Sequence, residues 1–165
     1  MLIFLDTEFT RLDRPDLISI ALIAEDGREF YAERTDYDPR QCSEFVRAHV
    51  LPLLGRVEGS GSTRMELTNR LRTWIAQFSE PAIYVFDSPK DWHLLAVAML
   101  GRPQKNPPGD FGKQRFLDSS VFTHEAFKKA SNSSYSPDLP EHHALADARA
   151  LRAGYNAWTR NQALS

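Results

Sequence analysis

Four consecutive apolar residues, Leu2, Ile3, Phe4 and Leu5, run straight into the acid pair Asp6 and Glu8, and this abrupt change constrains the fold more than any other feature. An apolar run without a polar face predicts a central strand covered on both sides, as in a sheet that carries helices on both faces. Two further apolar runs, 17–24 and 29–32, flank the turn pair Asp26-Gly27. They read as two strands joined in an antiparallel hairpin.

Apolar residues then recur at helical spacing over 43–54 and 63–78, with a linker over 55–61, and Thr63 with Glu66 makes a capping box at the start of the second helix. A fourth strand is expected at 82–86. A helix over 90–100 follows, opened by Pro89 and ended by Gly101. Residues 102–115 hold three prolines, two glycines and four basic residues against one acid, the composition of a surface loop. A short fifth strand at Phe116-Leu117 and helices over 119–130 and 143–160 complete the pattern. Strands paired first as a hairpin and then joined through helices predict an α/β fold, a mixed β-sheet flanked by helices, in a single domain spanning 1–165.

The 165 residues are 42% hydrophobic and 25% charged, as in a water-soluble globular chain. No run approaches the roughly 18 apolar residues of a membrane span, and Asp6 interrupts the N-terminus before a secretory core can form. No membrane association is therefore expected, and the expected location is cytoplasmic. A single cysteine, Cys42, is incompatible with an intrachain disulfide or a Cys-rich zinc site, so any metal must be held by oxygen or imidazole. The net charge of −2 argues against gripping nucleic acid through bulk positive charge. It does not exclude an enzyme that meets phosphate through bound cations.

Three groups of acids invite a chemical reading. Asp6 and Glu8 stand two apart at the carboxyl end of a strand, so their side chains share one face, where repulsion raises a pKa or recruits a cation. A pair of solvated acids at a strand end is the plain alternative. Asp87 and Asp91 follow the strand at 82–86, and Asp91 also fits a capping box with Ser88 as N-cap and Pro89 at the first helical position. In HHALADARA, His142 lies five residues before Asp147 near the start of the last helix, among small alanines that leave room for something to approach. The plain alternative makes both histidines caps or solvated residues and pairs Asp147 with Arg149 or Arg152.

In sequence order, Asp-x-Glu at the first strand, Asp at a middle helix and His-x-x-x-x-Asp at the last helix resemble the DEDDh group of 3′-to-5′ exonucleases, whose fold is ribonuclease H-like. The resemblance spans nearly the whole chain. More narrowly, DTEF, LISIALIAEDGREFYA, VRAHVLPLL and HHALADAR are similar to segments of the small mycobacterial-type exoribonucleases related to ribonuclease T and oligoribonuclease, a family associated with polyadenylate-containing RNA. The resemblance implies that Asp6, Glu8, Asp91 and Asp147 hold two Mg²⁺ or Mn²⁺ ions per site. It makes His142, with the family spacing to Asp147, the general base, and leaves His143 at an intervening position. Relatives usually carry Asn or a similar residue where this chain has Asp87, which leaves Asp87 and Asp91 both as candidates for the middle acid, Asp91 at the family's metal-binding position and Asp87 as an alternative or an extra acid. Single-stranded RNA is the implied substrate and a homodimer the implied assembly.

Thr7 and Phe9, within DTEF, are the candidate substrate contacts, Phe9 being suited to stacking on a terminal base. Arg102, Lys105, Lys113, Arg115, Lys128 and Lys129 are candidate phosphate contacts, and Trp74, Trp92 and Trp158 are assigned to core or interface. Two other functions fit the same residues: a DNA-directed exonuclease, because carboxylate chemistry is indifferent to the sugar, and a catalytically idle nucleic-acid-binding module of the same fold.

Overall fold

The structure, a computed structural model, describes residues 1–102 and 112–164. Strand β1 (Leu2–Phe9) lies inside a mixed sheet, antiparallel to β2 (Leu17–Ala24) and parallel to β5 (Ile83–Phe86). β3 (Glu29–Arg34) forms the expected hairpin with β2, and Gly27, at φ 96°, supplies the left-handed turn conformation. The edges are β4 (Gly61–Ser62), parallel to β3, and β6 (Lys113–Phe116), parallel to β5, which gives the order β4-β3-β2-β1-β5-β6.

Alternation along β1 divides the core in two. Ile3 and Leu5 pack on one face beneath α2 (Arg64–Ile75) and α3 (Pro89–Leu100), among Leu67, Leu71, Trp74, Trp92, Leu94 and Leu95. Phe4 packs on the other face with α5 (Glu125–Asn132) and α6 (Ala144–Gln162), among Phe127, Ala144, Ala148, Leu151 and Tyr155. Covered on both faces, all eight residues of β2 are buried. The result is the α/β, ribonuclease H-like architecture expected from the sequence. No helix among the described residues is long and apolar enough to cross a membrane.

Several boundaries differ from the sequence expectation for identifiable reasons. The helix expected over 43–54 ends as α1 (Glu44–His49), capped by the Ser43 hydroxyl, because Pro52 has no N–H to continue the ladder and the chain tightens into a 3₁₀ turn at Leu51–Leu53. The linker over 55–61 runs into β4, which pairs with the sheet edge through its backbone, Glu33 N–H donating to the Ser60 carbonyl and Thr35 N–H to the Ser62 carbonyl, both at 2.9 Å, and which the Arg70 side chain holds by donating to the Ser62 hydroxyl. The helix expected over 119–130 is two helices, α4 (Ser119–Thr123) and α5. Between them His124 adopts an extended conformation, and its Nδ1 accepts from the Ala126 N–H, so it caps the second helix. The fifth large strand lies at 113–116 rather than 116–117, and all four of its residues are exposed. Most of the loop over 102–115 lies outside the described residues.

Trp74 and Trp92 are core residues of the α2/α3 layer, and Trp158 packs at the edge of the other. At Gly154 the two helices of that second layer come close, because a Cβ there would stand 2.7 Å from the Phe127 ring.

Candidate active site

β5 pairs with β1 only as far as Phe4 opposite Val85, after which the chain leaves the sheet at Phe86 and enters α3. The end of β1 is therefore open on that side, and its acids lie in the opening. On the other side Asp6 faces Ala21 and Glu8 faces Ser19, with a bulge between Glu8 and Phe9 that shifts the register of the strand end. Asp91 enters from the first turn of α3, where the Ser88 hydroxyl accepts from the Lys90 N–H and Pro89 occupies the first position. Asp147 enters from the first turn of α6. Both carboxylates thus sit near the positive end of a helix.

Five acids converge here in two neighbouring groups. Ligand atoms of Asp6, Asp87 and Asp91 lie within 4.8 Å of one another, and so do those of Glu8, His142 and Asp147. Among the described residues none of the five carboxylates pairs with Lys or Arg. Burial raises each pKa, and for Asp6, Glu8 and Asp91 the neighbouring acids of the cluster add to the effect. Asp6 is held well above the usual carboxylate range by burial and by Asp91, Asp147, Glu8 and Asp87. Glu8 is pushed up to about 9 by burial and then by Asp147 and Asp91. Asp91, only 2% exposed, rises to about 7 because of burial, partly offset by the Thr7 hydroxyl that donates to its Oδ1 at 2.6 Å. Asp147 rises to about 6, again through burial, against the donations it accepts from Tyr135 Oη at 2.8 Å and the His142 N–H at 2.9 Å. Asp87 stands at the rim, more exposed as a residue, yet the protein crowding its carboxyl raises its pKa as well.

The two adjacent histidines part company. His142 has φ 70°, the one left-handed non-glycine residue among those described, a conformation that costs on the order of 1–3 kcal/mol. The turn aims its N–H at Asp147 and brings its ring edge-on to Phe45, with centroids 5.0 Å apart, and 6.0 Å from the His49 ring. His143 is buried against the Tyr31 ring at 4.8 Å, and burial lowers its pKa. Its ring belongs to neither group of ligand atoms, and the acid acting on it is Glu33.

A cleft of about 350 Å³ opens onto Asp6, Asp87, Asp147 and His142, and is also lined by Lys128, Asn132 and Tyr135. Of the basic candidates Lys128 lines this cleft, whereas Lys129 borders a separate groove and the Arg115 guanidinium is spent on the Tyr155 hydroxyl. Lys105 lies outside the described residues. Thr7 is buried, with its hydroxyl committed to Asp91. Phe9 is half-buried against the core and, with Leu12, Phe45 and Val46, bounds an apolar recess of about 340 Å³ that has Glu8 on its rim.

Tyr135, Phe45 and His49 are the residues that sequence reasoning missed. Tyr135 lies in a polar loop without periodicity, and the contact of Phe45 and His49 with His142 joins residues almost a hundred positions apart.

No protein-family model matches the chain. Over 52 residues it is 52% identical to proteins named 3′-5′ exoribonuclease from two strains of Mycobacterium tuberculosis, a match covering 31% of this chain and 31% of each relative. The chain therefore matches about a third of the length of these curated relatives.

Proposed function

We propose that the chain is a divalent-metal-dependent 3′-to-5′ exoribonuclease that shortens single-stranded RNA to nucleoside 5′-monophosphates. The observation that carries this reading is the convergence of Asp6, Glu8, Asp91 and Asp147 at the open end of β1, none of them ion-paired with a Lys or Arg among the described residues. Asp6 Oδ2 and Asp91 Oδ2 are buried without a hydrogen-bond partner. Carboxylate oxygens of this kind, with no thiolate, fit hard cations such as Mg²⁺ or Mn²⁺, and the four residues would hold two of them. When bound, such ions supply positive charge at the attacking water and at the leaving 3′-oxygen.

The chain's own residues do the rest. His142, with a ring nitrogen facing Glu8 and Asp147, takes the proton from the water as it attacks the terminal phosphodiester, and the bond to the 3′-oxygen breaks. Its strained backbone and the Phe45 and His49 rings fix the imidazole in place. Tyr135 and the His142 N–H orient the Asp147 carboxylate, and Thr7 orients that of Asp91. Phe9, Leu12 and Phe45 offer the terminal base an apolar surface that accepts any sequence, and Lys128 offers a cation to the following phosphates. The partial similarity to proteins named 3′-5′ exoribonuclease supports both the polarity and the choice of RNA. The homodimer implied by resemblance is tested by sedimentation.

The deciding assay digests a 5′-labelled RNA and the DNA of the same sequence, with Mg²⁺ and with chelator. Stepwise loss from the 3′ end of RNA, stopped by a 3′ block and by chelator, is expected. Cleavage of circular RNA, activity after thorough metal removal, or equal or faster digestion of DNA would overturn the reading.

A further inference from the structure

We infer that Asp87 is a fifth carboxylate of the cation-binding centre, gripping the ion held by Asp6 and Asp91 from the solvent side. The inference rests on the metal-dependent reading above and concerns a residue which that reading does not require. Three observations carry it. First, the parallel register that sets Phe4 opposite Val85, continued by two residues, places Asp87 beside Asp6 where the two strands part. Second, ligand oxygens of Asp6, Asp87 and Asp91 lie within 4.8 Å of one another, close enough for one ion to touch all three. Third, Asp91 is 2% exposed, and its Oδ2 is buried with no hydrogen-bond partner, so the floor of this group presents an unmatched acceptor.

The depths of the three acids differ in a useful way. Asp91 is at the bottom, anchored by Thr7, and Asp87 is at the rim, lining the same cleft as Asp6. A hard cation between them is approached by oxygen from below and from the mouth. A carboxylate at the mouth also raises the local cation concentration, whereas an amide there would offer one neutral oxygen and no charge. Four carboxylates balance the charge of two divalent ions. The fifth leaves an excess negative charge, which favours retention of the cation over tight binding of phosphate.

Mn²⁺ binding to the full chain, without RNA, tests this directly, because free aquated Mn²⁺ is counted by its room-temperature EPR signal. Wild type, Asp87→Asn, Asp87→Ser and Asp91→Asn are compared, with Glu58→Gln as an exposed acid outside both groups. Each Asp87 variant is expected to weaken one Mn²⁺ site by at least about 10- to 100-fold, the range already seen when only an outer partner of a metal ligand is lost, and Glu58→Gln should change nothing. Wild-type Mn²⁺ affinity in both Asp87 variants, beside a loss in Asp91→Asn, would overturn the role of Asp87 and leave the metal-dependent reading intact. Failure of the wild type itself to bind Mn²⁺ at millimolar concentration would overturn both.

Discussion

Replacing Asp91 with Asn should stabilise the metal-free protein at alkaline pH, although it removes a ligand of the proposed centre. Burial raises the Asp91 carboxyl from its ordinary 3.8 to about 7. The folded chain therefore holds a proton that the unfolded chain has released, and stability falls as pH rises from about 4 through about 7. At 1.36 kcal/mol per unit, the loss from this group alone approaches ~4 kcal/mol above pH 8. Asparagine carries no charge to bury and still offers Oδ1 to the Thr7 hydroxyl. Its amide nitrogen would replace the unpartnered Oδ2 at a cost of ~1–3 kcal/mol, leaving a net gain on the order of 1–3 kcal/mol. For a chain of this size that corresponds to a rise in Tm of roughly 2–10 °C. Thermal unfolding in chelator at pH 4 and pH 8.5 measures it: the variant should lead at pH 8.5 and be level or behind at pH 4. Saturating Mg²⁺ should reverse the order at pH 8.5, since the wild type gains RT ln(1 + [L]/Kd), about 4.1 kcal/mol at a thousand times Kd. A gap between the two proteins that does not change with pH would refute the argument.

Four further substitutions have definite expected outcomes, three near the site and one in the helix packing behind it. His142→Ala should lower kcat by about 10²–10⁴ at saturating Mg²⁺. His143→Ala, which empties the space against Tyr31, should lower Tm and leave kcat of the folded protein within a few-fold. Tyr135→Phe removes only the hydroxyl that orients Asp147, so the Mg²⁺ concentration for half-maximal activity should rise about 10-fold or more with Tm nearly unchanged. Gly154→Ala drives a methyl into the Phe127 ring and should cost about 1–3 kcal/mol of stability, read by denaturant unfolding.

What could be read in the sequence was whatever depends on neighbours in the chain. The apolar run before Asp6, the Asp26-Gly27 turn and the capping box, in which Thr63 N–H donates to Glu66 at 2.7 Å, are local devices and stand where expected. The shared face of Asp6 and Glu8 follows from strand alternation alone. β4 left no trace because a two-residue strand imposes no side-chain pattern, and β6 left only the apolar pair Phe116-Leu117 at its end because it buries none of its own side chains. The break at His124 depends on which way an imidazole turns. Residue order alone placed Asp87 and Asp91 near each other without saying whether both face Asp6; the parting of β1 and β5 is what lets them. Tyr135 reaches Asp147 from a loop whose path no periodicity describes.

The sheet keeps its two apolar layers apart over most of their extent, so α3 and α6 have separate reasons to stay folded. Asp91 and Asp147 are the first turns of those helices, brought around the end of β1 from opposite sides. Any ligand shared across that gap fastens one layer to the other. Amide hydrogen exchange should then register loading as a change in cooperativity: in chelator the opening turns of α3 and α6 exchange as independent local units, and with divalent cation bound they slow together, as parts of one unit.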